Sequence, residues 1–296
     1  MHLGLHLPQL DFDGSGLSLS RLTSAARAAR DTGFGSLGAN DHVLFAGPWL
    51  DGLTALTAVV ESSGDLELVT SVAVPALRHP LLLAKALVAL DLLSEGRVVA
   101  GIGPGSSNAD YDAVGLDFAE RWQRLDEAAR LLRHVLRGAP LTGPTRHYPA
   151  PPAPLSPGPF RSDGVPIWIA SWGSPAGLRR VVRHGDGWLA SAYNTDPAAF
   201  AAGRAQLPAE LPSAVVTMWT WVTEDDGDAR RHLDDVLAPL LRRDPDTLRD
   251  VLCIGSAQRC AELVARYAEA GCDRMHFWPL GDEERQVELI AGLSAT

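Results

Sequence analysis

The sequence predicts an α/β fold of eight strands alternating with helices, a TIM (β/α)8 barrel, and three observations carry that prediction. The stretch 68–105, LVTSVAVPALRHPLLLAKALVALDLLSEGRVVAGIGPG, reads as strand, helix, strand. Two apolar strands joined by one helix are the crossover unit from which parallel sheets are built. Short apolar runs bounded by turn residues recur eight times along the chain, with helical sequence between them. A length of 296 residues suits one barrel and is long for one sandwich. An open doubly wound sheet satisfies the same alternation and is the alternative.

The first strand covers 2–7 and ends at Pro8-Gln9. A helix follows over 18–32, with a serine-rich start and Gly33 just past its end. Strand 36–40 leads into Asp41-His42 and a loop through Pro48-Trp49; a helix over 51–62 comes next. The third strand covers 68–74, Pro75 and Pro80 bracket a turn, helix 81–93 stops at Glu95-Gly96, and strand 97–102 runs into a glycine-rich loop. Residues 106–118 break any continuation, and 121–137 is a strongly amphipathic helix. Proline and polar turn residues exclude regular structure over 139–164. That segment joins a helix to a strand, so in a barrel it covers the end opposite the active site, and it reads as a long ordered loop within one domain, 1–296. Strands at 165–170, 187–191, 214–222 and 275–278 then alternate with helices at 175–184, 198–206, 226–242, 257–270 and 282–293; Ser256 is the N-cap of the fourth of these.

A formal charge of −10 gives neither nucleic acid nor an anionic membrane anything to attract, and no apolar run approaches the ~20 residues of a membrane span. The start MHLGLHLPQ lacks the basic and apolar regions of a signal peptide. Cys253, Cys260 and Cys272 form no C-x-x-C and read as reduced thiols. A cytoplasmic protein acting on a small molecule is the expectation.

Barrel enzymes place their chemistry at the C-terminal ends of the strands. Those ends supply Pro8-Gln9, Asn40-Asp41-His42, Ser71-Val72, Gly103-Pro104-Gly105, Ser171-Trp172-Gly173-Ser174, Ala192-Tyr193, Trp219 to Trp221 and Phe277-Trp278. Aromatic and small residues dominate, which suits a flat apolar ring better than a metal or a sugar phosphate. No HxH, HExxH or Cys/His cluster supports a metal; G-x-S-x-G and GxxxxGK[ST] are absent as well. The Gly103-Pro104-Gly105 loop is not a Rossmann turn, because no helix starts inside its glycines, and it reads as a tight turn or a ligand contact. Ser174 before Pro175 reads either as a plain helix cap or as part of a phosphate-binding N-terminus. His42 reads either as a loop histidine paired to backbone or as a group that moves a proton near neutral pH.

Several of these stretches resemble the bacterial-luciferase-like family of flavin- and deazaflavin-dependent oxidoreductases. The similar motifs are TSVAVPALRHP, LAKALVALDLLSEGRVVAGIGPG, DYDAVGLDFAERWQRLDEAARLLR, VPIWIASWGSPAGLRR and RHGDGWL, which span about the central half of the chain in the family's order. The resemblance implies a luciferase-like barrel, a reduced FMN or the deazaflavin coenzyme F420 as cofactor, and oxidation, reduction or monooxygenation of a small apolar substrate. It implies His42 as the catalytic group and cofactor contacts at Asp41, Ser71, Val72, Gly103, Pro104, Gly105, Ser171, Trp172, Gly173 and Ser174. Ser71-Val72 matches the position of a non-proline cis peptide beneath the ring in several deazaflavin members. In sugar-phosphate dehydrogenases of that branch an acid follows the G-x-G loop; here Ser106 stands there and the nearest acid is Asp110, which argues against that substrate. The family also contains a non-catalytic flavin-binding barrel, and this is the alternative function. Helix 81–93 is apolar nearly all round, so it and helix 51–62 are expected to form a homodimer interface, as in similar family members.

Overall fold

The eight apolar runs pair side by side, each in parallel with its neighbours, and the ring they form closes. The computed structural model of the chain describes residues 1–45 and 47–293. The strands are β1 (His2–His6), β2 (Ser36–Ala39), β3 (Glu67–Thr70), β4 (Val98–Ile102), β5 (Ile167–Ala170), β6 (Gly187–Ser191), β7 (Ser213–Val222), β8 (Cys253–Gly255) and β9 (Arg274–Pro279). β1 to β7 pair in sequence order, β7 pairs β9, and β9 returns to β1. This closure excludes the open doubly wound sheet. β8, absent from the sequence-based count, adds three residues to the far end of β7 outside the ring.

Side chains alternate along each strand, and the alternation sorts the interior into two halves. From β3 to β7, Val69, Val99, Trp168, Leu189, Ala214 and Val216 form an apolar plug inside the ring. On β9, β1 and β2 the corresponding residues are His276, Gly4, His6, Ser36 and Gly38, all buried. The opposite faces, with Leu5, Leu37, Ile167, Trp188 and Phe277, pack against the surrounding helices in one continuous core.

One irregularity decides what stands at the end of β7. Val215 pairs Met275, yet Met218 pairs Phe277, so β7 carries one residue more than β9 over this interval. Thr217 lies at the shift with φ +56, a conformation rare for a β-branched residue. The bulge brings Trp219 opposite Trp278; an unbroken register would put Met218 there.

The proline-rich segment departs from expectation. Residues 139–164 contain no helix or strand, as the composition predicts, but they do not merely cover the far end of the barrel. The segment climbs the outer face of helix Arg121–Arg137, where buried Glu127 accepts hydrogen bonds from the N–H groups of His147 (2.7 Å) and Tyr148 (3.3 Å). Tyr148 packs on Ala128 and Leu131 and meets the His79 ring edge-on at 5.3 Å. A buried carboxylate needs donors, and this loop supplies them. It then returns to the base, where Phe160 N–H donates to Asp91. Among the described residues three α-helices were not anticipated, Pro75–Arg78, Asn108–Ala113 and Pro245–Val251, and the helical stretch after Asp225 contains a π-helical turn over His232–Leu237.

His6 and His276 are fully buried, and burial depresses both: His6 to about 3, His276 well below 6.5 with Arg274 and His6 nearby adding to the effect. Both stay neutral in the fold but protonate below about 6.5 when unfolded, so the unfolded state binds about two more protons near pH 5. Stability from these two sites is complete above pH 6.5 and lost as pH falls. The expected slope is roughly 3 kcal/mol per pH unit near pH 5, to be read from urea unfolding between pH 7 and 4.5; equal midpoints across that range would contradict it.

Candidate functional site at the barrel mouth

The loops at the C-terminal ends of β1, β2 and β3 are held together by side-chain amides and carboxylates. Gln9 accepts from the Asn40 N–H (2.6 Å) and donates to the carbonyls of Asn40 (2.9 Å) and Leu50 (2.7 Å). Asn40 Oδ1 accepts from the N–H groups of Asp41 (2.8 Å) and Val72 (3.3 Å). One amide therefore ties the β1 loop to both ends of loop 41–50, and a second ties β2 to β3.

Asp41 is buried, and its carboxylate accepts from Arg78 Nε (2.8 Å), Arg78 Nη2 (2.6 Å) and the Val74 N–H (3.2 Å). Arg78 also pairs with Asp51, the cap of helix Gly52–Ala58. Both Asp41 oxygens are thus engaged in holding the strand ends.

His42 Nδ1 donates to Asp110 Oδ2 at 2.7 Å. Asp110 Oδ1 accepts from the N–H groups of Val43 (3.1 Å) and Leu44 (2.7 Å), so one carboxylate fixes both the imidazole and the backbone after it. Burial alone would raise the Asp110 pKa, but the bonds from His42, Leu44 and Val43 outweigh it and hold the group below its ordinary value. With Nδ1–H committed to a carboxylate, Nε2 is the nitrogen left to accept or deliver a proton. The ring is 12% exposed and lies 4.6 Å from both Phe45 and Trp49. Asp110 comes from helix Asn108–Ala113, capped by Ser107. In the sequence it was only the nearest acid after the glycine loop; no local pattern pairs it with a histidine 68 residues earlier.

Beside His42 stands an aromatic array. His6 stacks on Trp278 (centroids 3.3 Å, interplanar 10°) and Trp278 on Trp219 (4.0 Å, 18°). Trp49 meets Trp278 edge-on at 5.4 Å, and Phe12 meets Trp219 edge-on at 5.7 Å. His6 Nδ1 donates to the Leu7 carbonyl at 3.0 Å. Its Nε2, and Nε1 of Trp49, Trp219 and Trp278, are buried and make no hydrogen bond among the described residues. Sequence reasoning found Trp219 and Trp278 as strand-end residues but missed His6 and gave Trp49 no role. It also grouped Trp221 with them, whereas Trp221 bonds Asp228 (2.6 Å) and stacks on His232, away from the array.

Ser71-Val72 and Gly103 to Gly105 come together. The Ser71–Val72 peptide is cis. A Cβ on Gly103 would lie 2.9 Å from Val72 Cγ2 and 3.2 Å from Ala170 Cβ, so only glycine allows the approach. Pro104 accepts from the Tyr111 hydroxyl. The Ser171 to Ser174 turn follows Ala170 directly. Ser174 caps helix Pro175–His184 by accepting from Gly177 N–H at 3.2 Å, Ser171 Oγ accepts from Gly173 N–H at 3.2 Å, and Gly173 has φ +86. Of the first turn's N–H groups, Pro175 lacks one and Gly177 uses its own, which leaves Ala176. Trp172 is 59% exposed and lies outside the aromatic array.

Fold and mouth together define a (β/α)8 barrel with a His–Asp pair and a buried aromatic stack at its C-terminal end. The chain belongs to the luciferase-like monooxygenase family, whose model matches residues 4–243. It is 33% identical over 208 residues to the F420-dependent hydroxymycolic acid dehydrogenase of Mycobacterium tuberculosis, covering 62% of this chain and 53% of that protein. The chain spans about half the length of the curated relatives it matches. Among solved structures, the monooxygenase RslO1 from Streptomyces bottropensis superposes with a TM-score of 0.82 at 20% identity, covering 99% of this chain and 98% of that one. An F420-dependent secondary alcohol dehydrogenase in complex with an F420–acetone adduct also gives 0.82, at 18% identity, covering 99% and 97%. At such identities these two show the shared fold.

Asp110→Ala removes the three bonds that organise residues 42–44. The amides of Val43 and Leu44 should then exchange with solvent at least ten-fold faster, while amides within β2 keep their protection. Hydrogen exchange read by NMR checks this, and unchanged rates at both amides would count against the anchoring role.

Proposed function

We propose that the chain is an oxidoreductase that uses the deazaflavin F420, with FMN as the alternative cofactor, to oxidise or reduce a small apolar organic substrate. The observation that carries this is the His42–Asp110 pair set beside a buried aromatic stack whose ring nitrogens are unpaired among the described residues. The residues present fit a flat heterocyclic cofactor. Val72 stays half-buried against Gly103, and four buried ring nitrogens of the array lack partners among the described residues. Ser71, Val72 and Gly103 to Gly105 would lie against the ring, and the turn Ser171 to Ser174, at the N-terminus of a ten-residue helix, would meet its phosphate. When bound, a deazaflavin supplies or accepts hydride. His42, with Nδ1–H on Asp110, exchanges the matching proton through Nε2 at the substrate oxygen. Asp41 serves the site at one remove by fixing Arg78 and Val74. The F420-dependent relative, 33% identical, favours the deazaflavin over FMN.

Titrating purified protein with each cofactor tests the reading. Micromolar binding of one of them, seen as quenching of half-buried Trp49 and of buried Trp219 and Trp278, is expected. His42→Ala should leave that affinity within about two-fold while lowering turnover by a hundred-fold or more. Absence of quenching by either cofactor at high micromolar concentration would refute the proposal.

We also propose that residues 1–296 act as one barrel unit and that two copies associate through helix Pro80–Leu93. Leu83, Ala84, Leu87, Val88 and Leu90 of that helix turn inward, but Leu82 (67% exposed) and Leu93 (62%) stand outward on the other side. Light scattering at micromolar concentration should give twice the chain mass, and Leu82→Arg should lower it. A monomer mass for the unaltered protein would end the proposal.

A further inference from the structure

The closing seam of the barrel contains a buried imidazole whose surroundings are unusual. His276 leans from β9 across β1 to β2, and two glycines make room for it. A Cβ on Gly4 would fall 2.3 Å from His276 Cδ2, and one on Gly38 would fall 2.5 Å from His276 Nδ1. At the Nε2 end the ring hydrogen-bonds Ser36 Oγ at 3.0 Å. At the other end, the point where a Gly38 Cβ would sit lies 2.5 Å from His276 Nδ1 and 2.8 Å from Ser71 Oγ. Both atoms are buried, neither makes a hydrogen bond to the other or to any of the described residues, and both face the same glycine.

We propose that His276 is a positioning residue for Ser71, through a hydrogen-bond chain Ser36–His276–Ser71 that passes beneath the mouth from β2 to the end of β3. Ser36 holds the ring at Nε2, so Nδ1 has a fixed direction. The Ser71 hydroxyl turns about a single bond, and His276 Nδ1 is the group that faces it across Gly38. Ser71 N–H is already held by the Ala39 carbonyl at 2.7 Å. With the hydroxyl tied below, the residue presents one orientation to whatever rests on Ser71-Val72. Gly38 is then required twice, once for the ring and once for the contact that the ring makes.

The chain can be read in the protein without cofactor, whereas its consequence for cofactor binding rests on the function proposed above. The first measurement is therefore the ¹⁵N NMR spectrum of histidine-labelled, cofactor-free protein. Ser71→Ala should move the His276 Nδ1 resonance while leaving His42 in place; an unmoved Nδ1 signal overturns the proposal. The second is F420 affinity in a double-mutant cycle, with FMN used if F420 does not bind. Ser71→Ala and His276→Phe should each weaken binding by about five- to ten-fold, as expected for one hydrogen bond. The double variant should be no weaker than the worse single one. Independent losses that multiply would overturn the coupling. His276→Asn, which keeps a polar atom near the Nδ1 position, should recover most of the affinity, and if it binds no better than His276→Phe the positioning role is rejected. A shifted Nδ1 signal in a protein that binds neither cofactor would uphold the chain and reject the function proposed for the mouth.

Discussion

The mouth of this barrel depends on two side chains that are not there. Gly4 on β1 stands opposite Ser36, Gly38 on β2 stands two residues further on opposite His6, and the space the two glycines leave is filled by His276 from β9. Because side chains alternate, seating His276 inside the ring also sends Trp278, two residues on, to the inside. The same rule applied from Gly4 sends His6 inward, where it stacks on Trp278. A larger residue at either glycine would strike the ring and push β9 away from β1, the pairing that closes the barrel.

The closed sheet sets the frame, but loop direction at the mouth is settled by a few polar side chains acting on backbone. Gln9 binds main chain through both its oxygen and its nitrogen, and Asn40 Oδ1 accepts from two backbone N–H groups, so the β1, β2 and β3 ends are tied to one another. Asp41 and Asp110 are carboxylates that burial would penalise heavily if left alone. One is met by Arg78 and Val74, the other by His42, Val43 and Leu44. Aromatic rings and buried carboxylates coexist at the mouth because Asp41 and Asp110 are each met by several donors.

Partition of the interior gives the two halves different work. Strands β3 to β7 fill their share with aliphatic side chains and Trp168, which hold the ring by packing alone. Strands β9, β1 and β2 carry histidine, serine and glycine instead, at a cost in stability as pH falls. The polar half lies under Ser71 and under the stacked tryptophans, and that is where precise direction of a hydroxyl or a ring nitrogen is of use. Between the halves, the bulge at Thr217 adds the one residue that aligns Trp219 with Trp278.

Period and punctuation were enough to show eight strands, most of their helices and the strand-end segments, because burial on both faces makes each strand of a parallel sheet a short apolar run. The family resemblance rested on the same stretches, and the match over residues 4–243 bears it out. Ring closure was open from the sequence, since an alternating order says nothing about whether the last strand meets the first. The partner of His42 was open too: Asp110 sits in a short polar helix without a period of its own, and only packing brings it across 68 residues. His6 and His276 looked like ordinary members of short strands, because whether a strand residue faces the helices or the interior depends on its register against neighbours. The course of 139–164 was misjudged, since a buried Glu127 that needs donors is a property of the packed helix and not of the proline-rich segment that supplies them. Local sequence determined which elements form; the fold decided which polar groups meet, because hydrogen bonds at the mouth join residues distant in the chain whose distances exist only once the ring has closed.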